Sequence, residues 1–191
     1  MKYMIGQVRI GRGAGRLKML QGVEQQFRFH QGVSLAAGFP PDAHYEMNEK
    51  FPNDIKLEDF IASTGSLLVV SPRAKAFFEA EKLQNNEFLP VSIINLKGRK
   101  EPEPYSLIHQ TVLQECIDLE KTPFERNPIN PEVFLSIRSI VLDESRIAPQ
   151  VALFRMRHYP FVAVYRDDLI EKIKAAGLTG IKFVSPSEFN G

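Results

Sequence analysis

The residues that could carry chemistry are few and far apart. Gly11-Arg12-Gly13-Ala14-Gly15 follows a strand-like stretch, and Arg12 and Arg16 could meet a phosphate. The spacing is GxGxG, however, not the GxGxxG of a dinucleotide site, and no Walker lysine–serine pair follows. A flexible surface loop accounts for the same glycines. A small-molecule or nucleotide binder using this basic Gly11–Gly15 loop, an enzyme included, is therefore kept as the alternative reading. His30, His44, His109 and His158 are scattered, with none spaced from another ligand type in a metal pattern. Cys116 has His109 and Asp118 near it in the chain, but catalytic partners meet in space and no thiol-protease signature surrounds them. A small buried thiol explains Cys116. Ser71 lacks the GxSxG elbow and, standing before Pro72, reads as a helix N-cap. The sequence thus predicts no catalytic residue, no metal and no cofactor.

One charge asymmetry stands out. Residues 1–30 hold Lys2, Arg9, Arg12, Arg16, Lys18 and Arg28 against the single acid Glu24. Residues 41–60 hold Asp42, Glu46, Glu49, Asp54, Glu58 and Asp59 against Lys50 and Lys56. Either the two segments face each other or are simply solvated, or the acids form a docking patch for a basic protein partner. The whole chain carries 24 basic and 23 acidic side chains, so bulk electrostatics give no case for a nucleic-acid partner. One cysteine fits a reducing compartment. The N-terminal stretch is interrupted by Arg9, Arg12, Arg16 and Lys18 and is no secretory signal. Runs such as Leu67–Val70 and Phe161–Tyr165 are too short to span a bilayer. These features predict a cytoplasmic protein with no membrane partner, and leave its oligomeric state open.

The elements that must position these residues follow from pattern. A chain of 191 residues suits a single domain, 1–191. Its residues 1–53 form an N-terminal part with a long irregular segment, because Gly32, Gly38, Pro40, Pro41 and Pro52 punctuate it. Strands are predicted at Tyr3–Ile10, Gln26–His30, Ser66–Val70, Phe88–Leu96, Tyr105–Leu113, Ile137–Leu142, Val151–Met156, Phe161–Tyr165 and Ile181–Val184. Helices are predicted at about 71–83 and 167–176, with short helices or turns at Leu57–Ile61 and after Pro131. The fold class expected is α+β: a mixed or mostly antiparallel sheet with a few helices packed on one face. Its core would include Leu68, Val70, Phe77, Phe78, Leu89, Val91, Ile140, Leu142, Phe154, Val162, Leu169, Ile173, Ile181 and Phe183.

From Asp59 onward the chain resembles a known family. The carriers are, in order, Leu67-Leu68-Val69-Val70-Ser71-Pro72-Arg73-Ala74-Lys75, Phe88-Leu89-Pro90-Val91, Ile137 to Asp143, Leu153-Phe154-Arg155, and Asp168-Leu169 through Gly177-Leu178-Thr179-Gly180-Ile181-Lys182-Phe183. Together they look like the eleventh family of immunity proteins of bacterial polymorphic toxin systems, formerly a domain of unknown function, over roughly residues 54–186. In that family a serine or similar cap opens the last helix. Here Arg166-Asp167 stands in its place, with Asp167 able to cap. The resemblance implies a non-enzymatic protein that binds and neutralises a cognate toxin, and it brings no catalytic residue with it.

Overall fold

β-Strands hold 33% of the residues and helices 15% in the computed structural model, which describes residues 2–191. In chain order the strands are β1 (Tyr3–Val8), β2 (Arg16–Leu17), β3 (His44–Glu46), β4 (Phe60–Ser63), β5 (Leu68–Val70), β6 (Asn86–Ile94), β7 (Tyr105–Gln110), β8 (Leu113–Gln114), β9 (Phe124–Arg126), β10 (Phe134–Ile137), β11 (Leu153–Met156), β12 (Ala163–Arg166) and β13 (Ile181–Val184). The α-helices are α1 (Pro72–Ala80) and α2 (Asp167–Ala175). One sheet runs β13-β1-β12-β11-β8, a second β2-β4-β5-β7-β6-β3, and β9–β10 form a separate hairpin. The central pairings are antiparallel; parallel pairs occur only at the margins, β11–β8, β2–β4 and β3–β6. The sheets wrap into a nearly closed barrel.

Alternation along the strands divides the apolar side chains among three cores. Leu68 and Val70 of β5 point inward with Ile108 of β7, meeting Leu153, Ala163 and Tyr165 of the other sheet. Ala74 and Phe78 of α1 and Leu169, Ile170 and Ile173 of α2 fill the same interior. Val69 and Leu107 point the other way, packing with Leu17 of β2 and Tyr45 of β3 under irregular chain that contributes Leu20, Phe29 and Met47. Ile5, Phe154 and Val164 do likewise under Cys116, Ile137, Ile140, Ile147 and Val151. Each large sheet is thus covered on its outer face by irregular chain rather than by helices.

That arrangement corrects the expected fold class. The protein is mostly β with two nine-residue α-helices, not an α+β layer of helices on one sheet face. The helices sit where capping and dipole signals place them, but they contribute to the barrel interior beside both sheets. Other expectations fail locally. The stretch expected as a short helix or turn at Leu57–Ile61 leads into β4, and the segment after Pro131, where a short helix was possible, leads into β10. Gln26–His30 is a 3-10 turn, not a strand. Asp167 is the first residue of α2, whose N-cap Arg166 offers no side-chain cap bond. Of the expected core, Phe77, Leu142, Val162, Ile181 and Phe183 are only partly buried; the other members are buried.

Candidate functional site

The acidic segment spans β3 and the irregular chain leading to β4. Ala43, Tyr45 and Met47 turn into the core beneath it, so Asp42, Glu46 and Glu49 are left at the surface. Backbone bonds seat the basic N-terminal segment alongside: Lys18 N–H donates to the Glu46 carbonyl at 2.9 Å, and Gly15 N–H to the Lys56 carbonyl at 2.7 Å. Lys18 Nζ then reaches Glu46 (2.9 Å) and Glu49 (2.6 Å), and Arg16 reaches Asp54 (3.3 Å) while its guanidinium lies 3.8 Å from the Phe51 ring centre. The paired Lys18 ammonium holds the Glu49 carboxyl below its ordinary range. Glu58 pairs with Lys56 at 3.0 Å.

Asp59 is of another kind. It is 7% exposed and accepts from Ser71 Oγ at 2.7 Å, Arg73 at 2.9 Å, and the amide and hydroxyl of Thr179 at 2.9 and 3.1 Å. Six acids adjacent in sequence therefore divide by environment. Asp42, Glu46 and Glu49 are exposed, Asp54 and Glu58 half-buried in ion pairs, and Asp59 is enclosed.

The other candidates do not converge. In the Gly11–Gly15 loop, the amides of Ala14 and Gly15 donate to the Gly11 and Lys56 carbonyls, so these two donors are already used within the chain. Cys116 lies in the core beneath the five-stranded sheet, where burial pushes its thiol up to about 12. His109 instead faces the Val33 carbonyl at 2.8 Å and the Phe29 ring, and Asp118 pairs with Lys121. Among the described residues no three His, Cys, Asp or Glu side chains gather in a way that could hold a metal. No helix among them is long and apolar enough to cross a membrane.

Arg155, on β11, enters the sequence reading only as part of the family resemblance, with no role assigned to its side chain. It is 1% exposed, and no carboxylate pairs with it among the described residues. Its Nε donates to Gln110 Oε1 at 2.8 Å, one terminal nitrogen to the Ser66 carbonyl at 2.8 Å, and the other to the Pro160 carbonyl. Burial brings its pKa down to about 10. His30 leans on the same Pro160 carbonyl through Nδ1 at 3.3 Å; burial first, and then the Arg155 charge, bring it down to about 4. His30 also lines a cleft of about 500 Å³ with Val33, Val112, Leu113 and Arg157. The only sequence signal for Arg155 is an arginine set inside the apolar run Leu153–Met156.

The profile of the immunity protein family (Imm11) matches residues 23–187. The chain belongs to this family. The matched span begins well before the resemblance at 54–186 and takes in the irregular segment and all six acids of the candidate surface. None of the curated proteins matches the chain.

Proposed function

We propose that the protein is a non-catalytic cytoplasmic immunity protein that binds a toxin of a polymorphic toxin system and neutralises it. The observation that carries this reading is the family match over residues 23–187. The chemistry of the site residues supports it: the one thiol is buried and raised, His30 and His109 face backbone carbonyls, and Asp59 is enclosed by four donor groups. The docking surface we assign is the acidic segment of Asp42, Glu46, Glu49, Asp54, Glu58 and Asp59. Its exposed members, with Glu49 at 67% side-chain exposure, steer a basic toxin, while Asp59 fixes the backbone at the end of the segment. Since Lys18 already sits between Glu46 and Glu49, the contribution is to encounter rate more than to final affinity.

The test is co-expression with the toxin encoded by the adjacent gene, followed by binding kinetics with the two purified proteins. The chain should restore growth and form a stoichiometric complex without altering the toxin covalently. Changing Glu46, Glu49, Asp54 and Glu58 together to neutral residues should slow association at low salt and flatten its salt dependence. Growth arrest that persists despite full expression of the chain overturns the proposal. Association of the quadruple variant at the parent rate removes the acidic segment from it.

A further inference from the structure

The hairpin that joins β6 to β7 ends in Asn95-Leu96-Lys97-Gly98-Arg99-Lys100. Lys97, Arg99 and Lys100 are all exposed, and none pairs with a carboxylate among the described residues. The turn is held from within by one side chain. Asn95 Oδ1 accepts from the amides of Lys97 (2.9 Å) and Arg99 (3.1 Å), and Asn95 Nδ2 donates to Glu101 Oε1 (2.8 Å). Asn95 and Arg99 also close a backbone bond of 2.8 Å, and Gly98 takes the positive φ of 70° that the turn needs. The nearest acid in sequence, Glu101, is thereby committed to holding the turn. Three positive charges are fixed within four residues of a chain whose net charge is +1, so the rest of the molecule sums to −2.

The tip adjoins the acidic surface. Lys100 bridges to Ile94, Ile94 pairs with Glu46 across β6 and β3, and Lys18 donates to the Glu46 carbonyl beyond. Lys100 and Glu46 are therefore two strand spacings apart, about 10 Å. We propose that this basic hairpin tip is a second half of the toxin-docking face and meets an acidic patch on the partner protein. The inference rests on the immunity reading and adds to it the charge pattern of the partner: basic opposite Glu46 and Glu49, acidic opposite Lys97, Arg99 and Lys100. Leu96, 36% exposed, supplies apolar area within the tip. A nucleic acid fits less well, because Glu46 and Glu49 lie beside the tip, Glu103 follows it, and a phosphate backbone would meet all three. Pre-ordering by Asn95 means that little conformational entropy is lost when the tip docks.

The experiment is stopped-flow association of the purified chain with the purified toxin of the adjacent gene, at low and high salt. K97E/R99E/K100E should lower the association rate at low salt by roughly tenfold or more, with an unchanged melting temperature because the side chains are exposed. E46Q/E49Q should slow it separately. If the parent chain and the toxin do not associate at all, the immunity reading falls and this inference with it. If the parent associates and K97E/R99E/K100E keeps the parent rate, only the tip is overturned. Tip-dependent binding of a random-sequence single-stranded RNA, with toxin association unaffected, overturns it too.

Discussion

Two polar residues of opposite sign fasten the two large sheets to each other, and they do so by different means. Asp59, just before β4, reaches across to Thr179, just before β13, while Phe60 N–H donates to the Thr179 carbonyl at 3.0 Å. The chain passes so close here that a side chain on Gly180 would begin 2.2 Å from the Phe60 carbonyl, at a φ of +83°. Arg155, on β11, reaches across to Gln110 at the end of β7 and to the Ser66 carbonyl in the β4–β5 turn. The acid has a cation, Arg73, but Arg73 is 56% exposed, so the ion pair itself contributes little and the neutral donors hold the carboxylate. Among the described residues the arginine has no counter-charge; backbone carbonyls and one amide oxygen take its place. A buried charge can thus be kept by dipoles alone when the turn geometry aims them. Ser66, at a φ of 58°, is one of the few residues other than glycine in the left-handed region.

The largest effect expected from breaking this comparison is at Arg155. Arg155→Met fills much of the volume but leaves the Ser66 carbonyl and Gln110 Oε1 without their donor, and the Pro160 carbonyl with His30 alone. The expected loss is roughly 4 kcal/mol in urea unfolding. Arg155→Lys should not rescue it, because a compact ammonium cannot reach three acceptors as the planar fork does. A loss below about 1 kcal/mol would mean that the desolvated cation costs nearly as much as its bonds contribute.

Acid should reveal the same site through His30. Its folded pKa, about 4, lies below the unfolded value of 6.5, so the unfolded chain binds the extra proton first as pH falls. The His30 contribution is complete above 6.5 and is lost between there and about 4, a change of about 3 kcal/mol. His109, also lowered by burial, acts in the same direction. Stability measured against pH should fall through that window, and His30→Gln should flatten the fall. In Arg155→Met the fall should be shallower, because the arginine charge is part of what lowers His30. A parallel fall in parent and His30→Gln would remove this assignment.

Asp59→Asn comes next, at about 2 kcal/mol. The amide keeps the shape but turns one acceptor into a donor among groups that already donate: the Ser71 hydroxyl, Arg73 and Thr179. Equal losses at Asp59 and Arg155 would say that the counter-charge makes no difference.

How far the sequence reveals these features depends on their range. Ser71-Pro72 marks the start of α1 because capping is a local matter, and Ser71 Oγ does accept from Ala74 N–H at 3.2 Å. The last strand, Ile181–Val184, is likewise where its run of residues puts it. The barrel is not legible in this way. β7 and β11 are buried at every residue because irregular chain covers their outer faces, so the alternation that signals a sheet is missing. β2 and β8 have only two residues each, too few for any pattern. Asp59 reads as one more acid of an acidic stretch because Thr179, which encloses it, is 120 residues away. The pairing of Arg16 and Lys18 with Asp54, Glu46 and Glu49 is one of the arrangements that composition leaves open, because composition does not say which segments are neighbours in space.

The smallest effect expected separates two duties of one hydroxyl. Ser71 Oγ accepts from the Ala74 amide at the start of α1 and donates to Asp59 Oδ1 at the barrel seam. Ser71→Ala should cost about 1 kcal/mol as a lost N-cap. If capping is all it does, the same loss should recur when Asp59 is already asparagine, since the two changes would then add. If the bond to Asp59 matters as well, the second loss should be smaller than the first by at least about 0.5 kcal/mol, because the two sites share a partner. Three donor groups besides Ser71 remain on the Asp59 carboxylate, so the coupling should stay below the full cost of Asp59→Asn. A double-mutant cycle in urea measures it. A coupling of zero would make the cap and the seam independent devices that happen to meet at one residue.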